Sequence, residues 1–321
     1  MEVGVQFPNT IEIVEVGPRD GLQSLSTTYS TEAKLEMIRE LMGSGLSRIE
    51  ATSFVRPSVI PQLRDAEMLW AGLRQDGKVR FRALVANRRG VERVAAAGVT
   101  ELVLLATASE TYVKMNQNMS VDENLEEIRS MVQLVDEVGS IHLVGAIAMA
   151  MFCAYEGAID PARTLRIVDT YYSLGVKEIS IAASTGVDGP GELYKLCSMV
   201  LDRHPEIKVG VHLHNANGMG LANAMAAMQA GVQVLEGSIC GIGGGIRLPG
   251  GDQDHGNVPT EDLVNLCFEL GVETGVDLDA IVEASKRISR GLGIRSKSFA
   301  GSGGTKRQIV ERAKIEPWKE K

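Results

Sequence analysis

The chain has 321 residues, of which 44% are hydrophobic and 23% are charged, and its formal net charge is −8 at pH 7. These proportions are typical of a globular protein, and the negative charge argues against nucleic acid as the main partner, because phosphate binding requires a basic surface. The first residues, MEVGVQFPNT, include an acidic residue and no long apolar run, so we predict neither a signal peptide nor a membrane span.

Short β-rich runs alternate with amphipathic helical patterns along the chain, which predicts consecutive βαβ units around a parallel sheet. The predicted strands are 11–16, 47–52, 80–85, 101–106, 141–148, 177–182, 208–213 and 232–238. Eight strands favour a closed (β/α)8 TIM barrel. A doubly wound open sheet is the alternative, but no GxGxxG motif follows the first strand.

A weak internal repeat supports the strand count. The segments GSGLSRIEAT, AAGVTELVLL, SLGVKEISIA and QAGVQVLEGS share a small residue, a glycine, an aliphatic residue and a polar pair before each strand. We expect the glycine to end the preceding helix at positive φ, which costs a residue without Cβ little.

Two regions are predicted from this pattern. Residues 1–275 form the barrel, and residues 276–321 form a C-terminal helical extension that packs on it. The segment VDLDAIVEASKRISRGLG supplies the helical pattern of the extension, and the last twenty residues are basic and polar, as in a mobile tail.

A group of potential metal ligands falls at the carboxyl ends of predicted strands, which share one mouth in a barrel. Asp20 follows the first strand, and His212 and His214 end the seventh, where an i, i+2 pair points the same way. Asn257 lies after the eighth strand, beside the first strand once the barrel closes. One carboxylate, two imidazoles and an amide carbonyl suit Mg²⁺ or Mn²⁺ with open positions better than a closed zinc site.

An HxH pattern alone is weak, and its ordinary interpretation is two half-buried strand histidines. The coincidence of Asp20 and Asn257 on the same predicted face favours a metal site instead.

Four segments carry a resemblance to a known family. They are VEVGPRDGLQ (14–23), IEATSF (49–54), VHLHNANGMGLAN (211–223) and the GIGG…TEDLV region (241–264). Together they resemble the 3-hydroxy-3-methylglutaryl-CoA lyase family, which belongs to a wider group of metal-dependent barrel lyases and synthases. The resemblance runs in register from about residue 11 to 290.

The resemblance implies roles for individual residues. Asp20, His212, His214 and Asn257 match the family's metal ligands, and Arg19 matches its catalytic arginine. Four more positions match residues near the substrate or the CoA arm, namely Gln23, Ser53, Asn116 and Ser180. The metal would lower the pKa of the substrate hydroxyl, and Arg19 would neutralise the enolate that leaves.

Glu50 matches the family's active-site glutamate. Two structural alternatives stay open: Glu50 could serve only to orient Arg19, and Arg19 could simply form an ion pair with Asp20 or Glu50.

The sequence also departs from the family pattern. Gly245 stands where the lyases carry a reactive loop cysteine, and Cys240, five residues earlier, is expected to be buried. The family's GDT appears as 182–184 (AAS), and the aspartate after the second metal histidine is Asn215.

Another group must therefore handle protons. We expect His255, Asp252 or Asp254 in the extended loop to do so, since a histidine near a metal ligand suits acid–base work at neutral pH. His255 could equally be an ordinary exposed histidine. Arg247 in the same loop could bind a substrate carboxylate, or nothing.

The predicted function is a divalent-metal-dependent carbon–carbon lyase that cleaves a 3-hydroxy-3-carboxyalkyl acyl-CoA, of hydroxymethylglutaryl-CoA type, to acetyl-CoA and a keto acid. The alternatives are a citramalyl-CoA-type lyase, a Claisen-type synthase of the same superfamily, and a non-catalytic metal-binding relative. A homodimer is expected by analogy with the family. The four cysteines lack CxxC pairing, which favours reduced thiols and a cytoplasmic location.

Overall fold

The computed structural model describes residues 6–74, 77–139, 141–244, 249 and 256–315. Its strands are β1 (Glu12–Glu15), β2 (Arg48–Ser53), β3 (Arg80–Val85), β4 (Glu101–Thr107), β5 (His142–Ala148), β6 (Phe152–Cys153), β7 (Gly157–Ala158), β8 (Glu178–Ala183), β9 (Lys208–Leu213) and β10 (Val234–Gly237). Eight of these strands form a closed parallel barrel in the order β1-β10-β9-β8-β5-β4-β3-β2, and β6 and β7 form a hairpin outside it. The predicted barrel and its eight strands are confirmed.

Helices surround this barrel and connect its strands. They are α1 (Thr31–Met42), α2 (Ala66–Gly72), α3 (Arg88–Ala97), α4 (Glu110–Gln117), α5 (Val121–Val138), α6 (Pro161–Ser173), α7 (Pro190–Arg203), α8 (Gly220–Gln229), α9 (Thr260–Glu269), α10 (Leu278–Leu292), α11 (Phe299–Gly303) and α12 (Lys306–Ile315). Within the described ranges, no helix is long and apolar enough to cross a membrane.

The glycines of the internal repeat behave as the sequence predicts. Each lies at positive φ between a helix and the next barrel strand, with φ of 87° at Gly45, 70° at Gly98, 80° at Gly175 and 97° at Gly231. This left-handed conformation ends the helix and turns the chain back toward the barrel.

The barrel strands place two kinds of side chain on their two faces. In β8, Ile179 and Ile181 are fully buried in the main hydrophobic core, whereas Glu178 and Ser180 alternate with them. Because successive side chains of a strand point to opposite faces, the apolar residues pack outward against the helices and the polar ones face the barrel axis. The interior of the barrel is therefore unusually rich in charge.

Helices α10 to α12 follow the last barrel helix. Helix α10 begins at Asp277, whose side chain accepts a hydrogen bond from the Ala280 amide at 2.9 Å, and it contacts α1 and α9. Asp262 of α9 accepts hydrogen bonds from Ser298 Oγ at 2.7 Å and from the Ala300 amide at 2.8 Å, which ties α11 to the barrel. The residues predicted as a polar tail form helix α12 up to Ile315. The division at residue 275 stays a prediction.

A candidate metal and active site at the mouth of the barrel

A single helical turn after β1 carries Arg19 and Asp20. The amides of Arg19, Asp20 and Gly21 all donate to the Val16 carbonyl, at 3.1, 2.7 and 3.3 Å. The turn is closely packed at both ends, because a Cβ on Gly17 would lie 2.6 Å from Glu15 Oε1 and one on Gly21 2.6 Å from an Ile242 carbon. The GPRDG sequence therefore fixes both functional side chains at the barrel mouth.

His212 and His214 lie at the carboxyl end of β9 and both are buried. Their Nε2 atoms are 3.1 Å apart, and they lie 3.7 Å and 3.9 Å from Asp20 Oδ2. The ligand atoms of these three residues all fall within 4.8 Å of one another. The i, i+2 spacing therefore converges on Asp20 as the sequence predicts.

Asn257 lies beside Asp20 and His214, on a closely packed loop. Its backbone pairs with His214, and its Nδ2 donates to Asp20 Oδ2 at 2.8 Å and to the Ile242 carbonyl at 3.1 Å. The loop requires glycine, since a Cβ on Gly256 would lie 1.7 Å from the Gly241 carbonyl oxygen. The buried Asn257 Oδ1 has no hydrogen-bond partner in the described part of the chain.

These residues fit a divalent cation. A carboxylate oxygen, two imidazole nitrogens and a carbonyl oxygen without a partner converge, which is a donor set suited to Mg²⁺ or Mn²⁺. Three carboxylates and two guanidinium groups line the surrounding cavity. With neutral imidazoles this lining carries an excess of one negative charge, which a divalent cation would offset. Asp20, His212, His214 and Asn257 could therefore hold a divalent cation together.

The protonation states of His214 and Asp20 favour metal binding as well. Burial and the adjacent His212 hold the pKa of His214 at about 3, so its imidazole is neutral and offers a lone pair near pH 7. Burial raises the pKa of Asp20, but Arg19 and the two histidines outweigh it and lower the pKa. The Asp20 carboxylate is therefore ionised and available as a ligand.

Arg19 forms ion pairs with both carboxylates next to it. Its Nε donates to Glu50 Oε1, and its Nη1 donates to Asp20 Oδ1 at 2.5 Å. All three side chains line the same cavity. The ion pairs that the sequence left as an alternative are thus present, and they hold the guanidinium at the rim of the site.

Two charged residues inside the barrel were missed by the sequence reasoning, namely Arg82 of β3 and Glu236 of β10. Arg82 Nη2 lies 2.6 Å from Glu50 Oε2 and 2.8 Å from Glu236 Oε1. Glu236 also accepts from Ser180 Oγ at 2.9 Å and lies 3.0 Å from His212 Nδ1. Their signal in the sequence is a charge at an inward-facing position of a predicted buried strand.

The cavity has a volume of about 150 Å³ and lies inside the barrel mouth. Gln23 and Ser180, predicted near the substrate, line it, and Gln23 Nε2 also donates to Asp20 Oδ1 at 3.1 Å. Ser53 is buried but is not among the lining residues. Asn116 is exposed on α4, one turn beyond Tyr112, which does line the cavity. The substrate roles of these positions stay predictions.

The predicted proton-handling and carboxylate-binding residues of the extended loop lie outside the described residues. They are Arg247, Asp252, Asp254 and His255. Gly245, which replaces the family's cysteine, lies outside them too. Cys240 is buried, as expected, and burial raises the pKa of its thiol to about 12. A thiol with that pKa stays protonated and is a poor nucleophile.

A closed parallel barrel with carboxylate and imidazole groups converging at the carboxyl ends of its strands defines a metal-dependent (β/α)8-barrel enzyme. Comparison with known proteins identifies the family. The sequence profile of the HMGL-like family matches residues 10–288. The mitochondrial hydroxymethylglutaryl-CoA lyase of Bos taurus is 37% identical over 91% of this chain and 89% of its own. The cytoplasmic 3-hydroxy-3-methylglutaryl-CoA lyase of Rattus norvegicus is 34% identical over 94% of this chain and 87% of its own.

Solved structures agree with this match. An HMG-CoA lyase from Acinetobacter baumannii, in complex with coenzyme A and 3-methylmalate, superposes with a TM-score of 0.86 at 32% identity, covering 95% of this chain and 98% of that one. The hydroxymethylglutaryl-CoA lyase of Pseudomonas aeruginosa superposes with a TM-score of 0.87 at 31% identity, over 96% and 99% of the two chains. The chain belongs to the HMGL-like family, and the predicted class, carbon–carbon lyase, is confirmed.

Proposed function

We propose that this protein is a divalent-metal-dependent lyase that cleaves a 3-hydroxy acyl-CoA, of hydroxymethylglutaryl-CoA type, to acetyl-CoA and a keto acid. The observation that carries the proposal is the convergence of Asp20, His212 and His214 beside Arg19 in one cavity. The named relatives act on this substrate, and the solved relative from A. baumannii holds coenzyme A and a small hydroxy acid.

Cleavage removes the proton from the tertiary hydroxyl, opens the adjacent C–C bond to a ketone, and releases an acetyl-CoA enolate that then takes up a proton. When bound, a divalent cation would supply Lewis acidity to the hydroxyl and a neighbouring carbonyl oxygen. Asp20, His212, His214 and Asn257 would hold it. Arg19, always charged, faces the cavity and neutralises the negative charge that develops on oxygen.

Glu50 is better suited to orienting Arg19 than to proton transfer. Its two carboxylate oxygens face two guanidinium groups, those of Arg19 and Arg82. With one oxygen at each guanidinium, the carboxylate is placed to orient Arg19. We therefore assign Glu50 the orienting role that the sequence left open.

The proton for the enolate needs another donor. We keep His255 as the first candidate, on the spacing that places it two residues before Asn257. Tyr112 is the second, because it lines the cavity and burial, with Asp20 nearby, raises the pKa of its hydroxyl. The two variants to compare are His255→Ala and Tyr112→Phe. The donor is the residue whose variant lowers kcat while metal binding stays unchanged.

Three finer points belong to this proposal. Mg²⁺ or Mn²⁺ is the expected metal, because the donor set mixes oxygen and nitrogen. A cytoplasmic location fits the buried free cysteines, although the named relatives include both mitochondrial and cytoplasmic lyases. A homodimer is proposed by analogy with the family.

The test measures acetyl-CoA release from hydroxymethylglutaryl-CoA and, in parallel, from citramalyl-CoA, with Mg²⁺ or Mn²⁺. We expect metal-dependent release from the first thioester, and a loss of at least about 10³-fold in Asp20→Ala, since a metal contributes several kcal/mol to such a step. The matched control is Asp169→Ala, which removes an aspartate that pairs with Arg203 outside the cavity and should leave the rate unchanged.

Release from citramalyl-CoA alone would correct the acyl group. Metal binding without release from either thioester would refute the proposed function and favour a non-catalytic relative.

A further inference from the structure

The charged residues of the cavity are connected by a continuous series of ion pairs and hydrogen bonds. It runs from His212 to Glu236, then to Arg82, to Glu50 and to Arg19, and it ends at Asp20. Both ends of this series are metal ligands of the candidate site. Arg82 joins its two glutamates, and it is buried to 1% exposure.

In this series of contacts, the two oxygens of each glutamate have different partners. One oxygen of Glu236 lies 3.0 Å from His212 Nδ1, and its other oxygen forms an ion pair with Arg82 Nη2 at 2.8 Å. One oxygen of Glu50 accepts from Arg19 Nε, and its other oxygen faces the same Arg82 nitrogen at 2.6 Å. A single Arg82 nitrogen therefore lies between two carboxylates, one of which contacts His212 and the other Arg19.

We propose that Arg82 is a positioning residue that couples the two halves of the active site, by holding Glu236 against His212 and Glu50 against Arg19. The inference rests on the proposed function for its metal and its substrate. It assigns to Arg82 no contact with the substrate.

The physical basis is the behaviour of buried like charges. Without Arg82, Glu50 and Glu236 would face each other as two buried carboxylates with no cation between them, which is strongly unfavourable. One of them would turn away. If Glu236 does so, His212 loses the acceptor that keeps the proton on Nδ1 and leaves Nε2 free for a metal, an arrangement worth 10–100-fold in metal affinity.

Ser180 limits the effect on Glu236. Its hydroxyl donates to the same Glu236 oxygen at 2.9 Å, so part of the restraint survives the loss of Arg82. Glu50 has no comparable second donor among the described residues apart from Arg19. Loss of Arg82 should therefore disturb Arg19 more than His212.

The experiment uses the full chain with three variants, Arg82→Met, Arg82→Lys and Glu236→Gln. Mn²⁺ affinity is measured by calorimetry, and kcat and KM by acetyl-CoA release. The matched control is Arg48→Lys, because Arg48 is also a fully buried barrel arginine between glutamates, yet it does not line the cavity. Arg82→Lys keeps the test open if Arg82→Met does not fold.

We expect Glu236→Gln to weaken Mn²⁺ binding by about 10–100-fold. Arg82→Met should weaken it by up to about 10-fold and lower kcat by about 100-fold, with little change in KM, because Arg19 acts on the reacting atoms. Arg82→Lys should recover part of kcat, since its ammonium restores the charge on a stem one atom shorter. Arg48→Lys should change neither value.

Wild-type Mn²⁺ affinity and kcat in both Arg82→Met and Arg82→Lys would overturn the inference. Equal losses in Arg48→Lys would overturn it too, because they would show a general effect of disturbing the barrel interior. If the unsubstituted protein binds Mn²⁺ but cleaves no thioester, the proposed function fails, while the Mn²⁺ affinities of the Arg82 and Glu236 variants still decide the inference. Failure of the unsubstituted protein to bind Mn²⁺ would overturn both.

Discussion

The two ends of the barrel interior are both charged, but they are built differently. At the amino-terminal end of the strands, Arg48 is fully buried among three glutamates. Its guanidinium lies 2.5 Å from Glu178, 2.5 Å from Glu101 and 3.2 Å from Glu12. Two more cations, Arg80 and Lys208, reach the same glutamates. Three cations face three carboxylates here, so the cluster is complete in charge within the protein.

The carboxyl-terminal end is not complete in this sense. The charged residues that line its cavity comprise three carboxylates and two guanidinium groups, together with two histidines. Asn257 keeps a buried carbonyl oxygen without a partner among the described residues. A cluster with balanced charges needs no further ion, whereas one with excess negative charge can accept a cation. This difference matches the rule that conserved chemistry lies at the carboxyl end of barrel strands and stability at the other.

The largest effect is expected at the amino-terminal end, from Arg48→Met. Removing the central cation leaves buried glutamates without a partner, which costs about 3–5 kcal/mol of unfolding free energy. Mn²⁺ affinity and kcat per folded molecule should not change, because Arg48 does not line the cavity. Urea unfolding and calorimetry measure the two quantities. A fall in Mn²⁺ affinity with unchanged stability would contradict the structural role assigned to the amino-terminal cluster.

A smaller but more specific effect is expected at the other end, from Arg19→Lys. The ammonium keeps the charge but cannot contact Glu50 and Asp20 together as the guanidinium does. We expect kcat to fall by about 10²–10³-fold, the usual loss for one donor at a developing oxyanion. Stability should change little. The control is Arg19→Ala with added guanidinium, which should recover part of kcat if the group acts on the substrate.

The smallest effect is a pH dependence in which the two ends have opposite signs. Burial raises the pKa of Asp188 to about 6. Because this pKa lies above the unfolded value of 3.8, the free energy of unfolding is highest below pH 4, where Asp188 is protonated. It falls as the pH rises through 6 and the carboxyl group ionises. Asp188→Asn should therefore be more stable than the unsubstituted protein at pH 8, by about 2–3 kcal/mol, and equal to it at pH 4.

Glu178 is the matched comparison at the amino-terminal end. Burial would raise its pKa, but His142 and Arg48 outweigh burial and lower the pKa to about 2. Its ionised carboxylate contributes to the free energy of unfolding above pH 4.5, and this contribution is lost as the pH falls through 2. Glu178→Gln should thus lower stability at pH 7, the opposite of Asp188→Asn at pH 8. Urea unfolding from pH 4 to pH 8 checks both signs, and the same sign in both variants would refute the assignment.

The sequence by itself determined the parts of this protein that local patterns encode. Strand and helix periodicity predicted the barrel, because the spacing of apolar residues along a strand or helix is a local property of the sequence. The glycines before four strands predicted helix ends, since positive φ is a property of single residues. Asp20 and the His212–His214 pair were predicted from their positions at strand ends, which barrel closure brings to one mouth.

Only the tertiary structure decided how the charges inside the barrel are paired. In the sequence, Arg82 and Glu236 are isolated charges on two predicted strands, and they are more than 150 positions apart. Closure of the barrel turns both inward and removes water, so each must find a partner there. The same closure leaves Ser53 buried away from the cavity and Asn116 exposed on α4. Such partnerships depend on which strands meet across the barrel, and that is not a local property of the chain.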